Sequence, residues 1–206
     1  MVKSQNINSS LTEGRIMEAA REVFIRHGFD GTTMQQIADE AGMNKSLLHY
    51  YFRNKEKLFE TVFAYAFRQF VPQIQDIMVS QASITDKIER IISEYMDLLL
   101  KNEILPAFIL HEINRDPDRL YKIMQETGLN PDMFMKGMKA EMEQHKIRPM
   151  DPRHLIVNML AMCIFPVAAR PLIQRILFSN DTESYNRFLQ ERKKEIARFI
   201  IQSIQV

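Results

Sequence analysis

A single cysteine, six glycines and no apolar run of membrane-spanning length set the first limits on this 206-residue chain. Cys163 has no second cysteine to pair with, which excludes a disulfide-stapled fold and suits a reducing cytoplasm, where the protein is expected to reside. The glycines supply no phosphate-cradling loop, no dinucleotide fingerprint and no G-x-S-x-G elbow, so no enzymatic activity is expected. The segment nearest to a membrane span, 155–169, is interrupted by Asn158 and Pro166 and closed by Arg170. It is shorter than the roughly 20 residues that cross a bilayer, and no membrane partner is expected. Neither a polybasic nor an acidic tail is present. Residues 1–10 are polar and lack the apolar core of a signal peptide, so they read as a short flexible arm. The histidines form no metal-ligand spacing: the run HEINRD at 111–116 lacks a second histidine four residues on and reads as a solvated helix end. Neither a metal nor a cofactor is called for. There is no convincing alternating strand, internal repeat or low-complexity linker.

What is present is a helical pattern with a compact motif near the front. Hydrophobic residues make up 46% and charged residues 26%, with a formal net charge of +1, as in a soluble globular protein with room for a small head and a larger body. Residues 37–58 read IADEAGMNKSLLHYYFRNKEKL. A helix over 34–41 follows from Thr33 as N-cap and from Met34, Ile37, Ala38 and Ala41 on one face. Gly42 supplies the left-handed position of a tight turn. Asn44 then caps a second helix over 45–52, which docks through Leu48, Tyr51 and Phe52. Ala38 is small enough to sit where the two helices cross. This is the pattern of a helix-turn-helix, although a helical hairpin in any all-helical protein can share it. Between Asn44 and Lys57, four basic residues oppose one acidic residue, interleaved with His49, Tyr50 and Tyr51. Over residues 1–60, eight Lys and Arg oppose eight Asp and Glu, so the footprint on nucleic acid is local and small. Such a head binds weakly alone and gains from pairing on a palindromic site.

Across residues 12–62, the stretch RIMEAAREVFIRHGFDGTTMQQIADEAGMNKSLLHYYFRNKEKLFETV resembles the TetR-type bacterial transcriptional regulators. Counterparts appear in order of the family's first helix, glycine-aromatic turn, threonine cap, recognition helix and tyrosine-phenylalanine ending. The resemblance implies an all-α fold of about nine helices. A three-helix DNA-binding head would join a helical ligand-binding and dimerisation body through a long fourth helix. It also implies a double-stranded DNA operator, a second copy of the chain and a small-molecule effector as partners. By position, it assigns Thr33 to capping near phosphate and Gln35 to the groove edge. Asn44, Lys45, Ser46 and His49 would face the major groove, Tyr50 and Tyr51 would reach phosphates, and Lys55 would contact phosphate at the start of the fourth helix. Many relatives have glycine in place of Ser46 and tyrosine in place of His49, so the contacted bases are not inherited. Tyr51 is as compatible with packing inward, and His49 with a solvated side chain.

The organisation expected is an arm at 1–10, a DNA-binding domain at 11–57 and an effector-binding and dimerisation domain at 58–206, with the boundary inside a continuous helix at 55–79. Pro72 is a possible kink within that helix. Further helices are expected near 84–101, 105–115, 118–127, 131–145, 152–169 and 183–205, with Pro106, Pro117, Pro131 and Pro152 at or near their starts. Most of the 14 methionines and several phenylalanines lie beyond residue 60. Phe67, Tyr95, Phe108, Glu112, Met124, Met159 and Cys163 are candidates to line a pocket for a hydrophobic or amphipathic molecule, with core packing the alternative for each. An apolar stripe in the last helix, joined to the apolar helix near 152–169, must be buried internally or against a second copy. For the second case the candidates are Leu155, Met159, Met162, Tyr185, Phe188, Leu189, Ile196, Phe199 and Ile200.

Overall fold

The computed structural model describes the backbone of residues 2–102 and 105–206, and the side chains of those residues except 2–10, 69, 107, 108, 111, 112, 115, 119 and 123. Among the described residues there is no strand. The chain divides into two compact units, 1–67 and 68–206.

In the first unit α1 spans Val2–Gly31, α2 Met34–Glu40 and α3 Lys45–Tyr51, followed by the opening turns of α4, Lys55–Val79. Backbone 2–10, expected as an arm, continues α1 without a break, because no glycine or proline interrupts the i to i−4 ladder before Gly14. The break comes at Gly28, whose φ of +68° suits glycine alone among common residues. Ile16, Ala20, Val23 and Phe24 on one face of α1 are buried together with Ile37, Leu48, Phe52 and Leu58. The Phe24 and Phe29 rings flank Phe59, with centroids 4.6 and 4.7 Å from it. This packing explains why the division falls after Phe67 rather than near residue 57: Leu58, Phe59, Val62 and Phe63 of α4 are buried with the head. Pro72 lies on an exposed face, and the helix continues through it.

The second unit adds α5 (Ile84–Lys101), α6 (Leu105–Arg115), α7 (Pro117–Glu126), α8 (Asp132–Glu143), α9 (Pro152–Ala168), α10 (Arg170–Phe178) and α11 (Thr182–Ile204). Eleven helices are therefore described against an expected nine or so. Six of the seven were expected to within a few residues; α10 was not. From its sequence, Arg170 is expected to close an apolar helix. Instead Ala169 caps α9, and Pro171 at a helix-starting position begins a new helix after a 76° bend. Among the described residues no single helix is long and apolar enough to cross a membrane; α9 and α10 meet that test only as a bent pair.

The core of this unit lies where α5, α9 and α11 pack on one another. Ile84, Ile88, Ile92, Met96 and Leu99 of α5 fall at helical spacing and are all buried. Burial of one such side chain stabilises the fold by about 1.5–3 kcal/mol before entropy is counted. The Tyr185 hydroxyl donates to the Pro166 carbonyl, and Lys193 Nζ reaches Asp97 Oδ1 at 2.6 Å.

The dimer candidates need correction here. Leu155, Met159, Tyr185, Leu189, Ile196 and Ile200 are buried in this core and have no face to offer a second copy. Helical periodicity shows that a stripe is buried, not what buries it, and α5 supplies the cover. Met162 and Phe188 are half-buried and Phe199 is exposed. Outward apolar surface is offered instead by Val157, Leu160 and Phe165 on α9 and Phe199 on α11, and also by Leu172, Ile176 and Leu177 on α10.

Candidate nucleic-acid interface

Thr33 begins α2 in extended conformation, and a reciprocal cap holds it: the Gln36 N–H donates to Thr33 Oγ1 at 3.2 Å while the Thr33 N–H donates to Gln36 Oε1 at 2.8 Å. Gly42 has a φ of +63°. Its N–H donates to the Asp39 carbonyl at 3.1 Å and the Met43 N–H to the Ala38 carbonyl at 3.0 Å, the paired bonds of a Schellman ending. Arg15 Nη2 donates to the Ala41 carbonyl at 2.9 Å, clamping α1 to the turn. Asn44 Oδ1 accepts from the Leu47 N–H at 2.7 Å and starts α3. Ala38 and Leu48 have no exposed surface, so the crossing of α2 and α3 is closed.

These restraints fix which way α3 faces. Lys45, Ser46, Leu47, His49 and Tyr50 are exposed, while Leu48 and Phe52 point into the head. At about 100° per residue, Ser46, Leu47 and Tyr50 occupy the middle of the outward face and Lys45 and His49 one flank. Lys45, Ser46 and His49, expected to face the groove, and Tyr50, expected to reach phosphate, are thus all open to solvent on this helix. Tyr50 is 82% exposed, and its ring meets that of half-buried Tyr51 edge-on at 5.4 Å. His49 Nδ1 lies 3.2 Å from the Arg53 carbonyl.

Other assignments shift. In Asn44, expected both to cap α3 and to face the groove, Oδ1 is taken by the cap. Thr33 caps α2, as its assignment to capping expected, and Gln35 Nε2 donates to Asp39 Oδ1 at 2.8 Å. Lys55 turns inward: its Nζ donates to the Phe29 carbonyl at 2.8 Å and lies 4.4 Å from the centre of that ring. A partner 26 residues upstream was not visible from spacing. Leu47 was not among the expected site residues: Leu48 takes the docking position, and Leu47, about 100° round the helix, is left exposed.

In the second unit, the structure brings two of the pocket candidates together. Burial pushes the Cys163 thiol up to about 12, against a smaller opposing pull from Arg192. Burial also raises the Tyr95 phenol, and nearby Cys163 adds to the rise. The Phe70 ring lies 5.9 Å from that of Tyr95. Met159 is buried and Met124 half-buried, while Phe67 belongs to the first unit, where its ring lies 4.9 Å from that of Phe63. The Phe108 and Glu112 side chains lie outside the described residues. Arg192, not foreseen as part of this region, donates from Nη2 to the Met162 carbonyl at 3.3 Å; its buried Nε has no partner among the described residues. An open cleft of about 500 Å³ lies elsewhere, lined by charged and polar groups that include Arg170, Glu183, Asn186 and Arg187, and none of the pocket candidates among the described residues borders it. Among the described residues no cluster of His, Cys, Asp and Glu is placed to hold a metal ion.

The raised thiol has a direct consequence. In native protein at pH 8 Cys163 is expected to resist alkylation by iodoacetamide, because it is buried and almost wholly protonated; in denaturant it should react fully. Mass spectrometry of the two samples reads the difference, and rapid native labelling would show that the thiol is open to solvent.

Residues 16–62 match the family model described as bacterial regulatory proteins, tetR family. The HTH-type transcriptional regulator RutR of Escherichia coli (strain K12) is 26% identical over 205 residues, covering 92% of this chain and 88% of that protein. A transcriptional regulator of the TetR/AcrR family from Thermobifida fusca YX-ER1 superposes with a TM-score of 0.65 at 17% identity, covering 90% of this chain and 96% of the other. AibR in complex with isovaleryl coenzyme A and operator DNA gives 0.64 at 23% identity, over 76% of this chain and 85% of that one. The structural likenesses extend the shared all-helical fold well beyond the matched head.

Proposed function

Because this chain belongs to the tetR family of bacterial regulatory proteins, which are helix-turn-helix transcriptional regulators, we propose that it is a homodimeric repressor. On this reading it leaves a palindromic operator when a small apolar or amphipathic effector enters its body. The observation that carries the DNA-binding part is the outward face of α3, held by the Asn44 cap and the Gly42 turn and carrying Lys45, Ser46, His49 and Tyr50. Side chains of this kind at the start of a short docked helix suit the major groove, where base edges are read. The protein has no catalytic role in this scheme and works in the cytoplasm, where the operator is.

The dimer reading rests on α9. Its inner side is buried, yet past its first turn the outer side carries Val157, Leu160 and Phe165, with Asn158 the one polar residue on that side. An apolar face of that kind calls for cover. A second copy related by a twofold axis supplies the cover and holds two heads about 34 to 36 Å apart, the spacing of successive major grooves. The effector reading rests on the softer middle of the body, where Tyr95 and Cys163 bring polar groups into apolar surroundings beside Met159. AibR, solved with both an acyl coenzyme A and operator DNA, shows one protein of this fold holding both kinds of partner. Tilting α4 is the proposed link from effector to head.

Fluorescence anisotropy with the DNA upstream of the protein's own gene tests the scheme. Binding is expected to saturate and fall as salt rises, and an effector from a broad panel of apolar and amphipathic metabolites is expected to weaken it by roughly 5- to 150-fold, the usual range for coupled sites. Saturable binding that no compound alters would remove the switch and leave the DNA reader. No binding to this or any selected duplex would remove both.

A further inference from the structure

The outward face of α3 has an apolar centre. Leu47 is 39% exposed and Tyr50 82% exposed, and the two lie one turn apart on the same side of the helix. Leu48 and Phe52 already serve the core of the head, so Leu47 adds little to its packing. The Leu47 N–H is bound by the Asn44 cap, which fixes where its side chain starts. A single exposed leucine on a protein surface is ordinary. Here, however, it stands beside Tyr50 in the middle of the surface that meets DNA, bordered by Lys45, Ser46 and His49. A leucine carries no donor or acceptor and pairs with none of the polar base edges. The one apolar group that a base pair presents in the major groove is the C5-methyl of thymine.

We infer that Leu47, with the ring of Tyr50 beside it, reads a thymine methyl in each half of the operator. Leu47 is thus a specificity-determining residue that no polar inventory of the helix reveals. The inference rests on the head binding DNA and goes further, since it names the base. It requires an A·T or T·A pair at the position facing Leu47, with the methyl buried against the side chain on binding.

The test uses the full-length protein and a duplex site enriched by it from a random pool. Each thymine of the enriched half-site is replaced in turn by deoxyuridine, which lacks only the methyl, in both halves together. Burial of one methyl-sized group is worth about fourfold in affinity, so the two halves give about fifteenfold at one position. Wild-type protein is expected to show that loss. Leu47→Ala is expected to bind thymine and uracil equally at that position while keeping any penalties at other thymines. Leu47→Met, which retains an apolar side chain of similar volume, is expected to keep most of the discrimination. An enriched site with no methyl-sensitive thymine, or an unchanged uracil penalty in Leu47→Ala, overturns the inference and leaves DNA binding standing. A pool with no enriched sequence overturns sequence-specific binding and the inference with it. Leu47 is exposed, so loss of fold is not expected in either variant, and circular dichroism confirms it.

Discussion

Replacing Leu160 by glutamate is expected to turn the dimer into folded monomers and to lower operator affinity by about 10²- to 10⁴-fold, the usual span of avidity lost with a second linked site. Leu160 lies on the outer face of α9, 48% exposed, between Val157 and Phe165, whereas Leu155, Met159 and Cys163 hold the inner face in the core. The substitution therefore spares the packing with α5 and α11. A twofold interface is self-complementary, so one change places two carboxylates in the same apolar contact, each needing to be desolvated without a partner. The effect on DNA follows from the charge of the head. Residues 1–60 carry equal numbers of basic and acidic groups, and a local excess of three around α3 gives one head little hold on phosphate. Tyr121→Glu, on a still more open position of α7, is the control and should leave both properties unchanged. Light scattering after size exclusion gives the mass, and anisotropy at fixed salt gives the affinity. A Leu160→Glu protein that remains dimeric would move the interface away from α9.

Much of the head was legible because its signals are local. Thr33, Gly42 and Asn44 each act within three residues of their own position, and the bonds they make are those their chemistry suggests. The bounds of α4, α5 and α6 could be read for the same reason, from apolar period and punctuating residues. Less legible were choices made across the chain. Lys55 is drawn to the Phe29 carbonyl, and Arg15 to that of Ala41, over separations that no spacing rule encodes. In α11 the period correctly marked Tyr185, Leu189, Ile196 and Ile200 as covered, but α5 and α9 cover them. The helix α10 was hidden because Pro171 can end one helix or start another, and only the direction of the chain after Ala169 distinguishes the two. Leu47 went unseen for a different reason. An apolar type by itself marks no contact with DNA, and its exposure becomes informative only once Leu48 is known to fill the core position.

The tight crossing of α2 and α3 leads to the other large effect. Ala38→Leu is expected to destabilise the head by about 1–3 kcal/mol, the usual cost of overpacking, while leaving the body folded and dimeric. Ala38 has no exposed surface, and its carbonyl accepts the Met43 N–H that closes the turn. A larger side chain there cannot swing toward solvent, so it must push α3 away from α2. The turn offers little give: Gly42 sits at a φ of +63°, Met43 and Gly42 are both bonded back to α2, and Arg15 holds the Ala41 carbonyl. Displacement of α3 moves Lys45, Ser46, Leu47 and His49 together, and since each well-made base contact is worth about 1–3 kcal/mol of discrimination, more than 100-fold of specific affinity is expected to disappear. Residual binding should resemble that to random sequence and keep its salt dependence, because phosphate attraction tolerates a shifted helix and base reading does not. Comparing anisotropy on an enriched site with that on scrambled DNA separates the two. Ala38→Ser, nearly the same size, should retain most of the specificity. If Ala38→Leu binds the enriched site within threefold of wild type, α3 has room to accommodate the larger side chain, and its orientation is not set by this crossing.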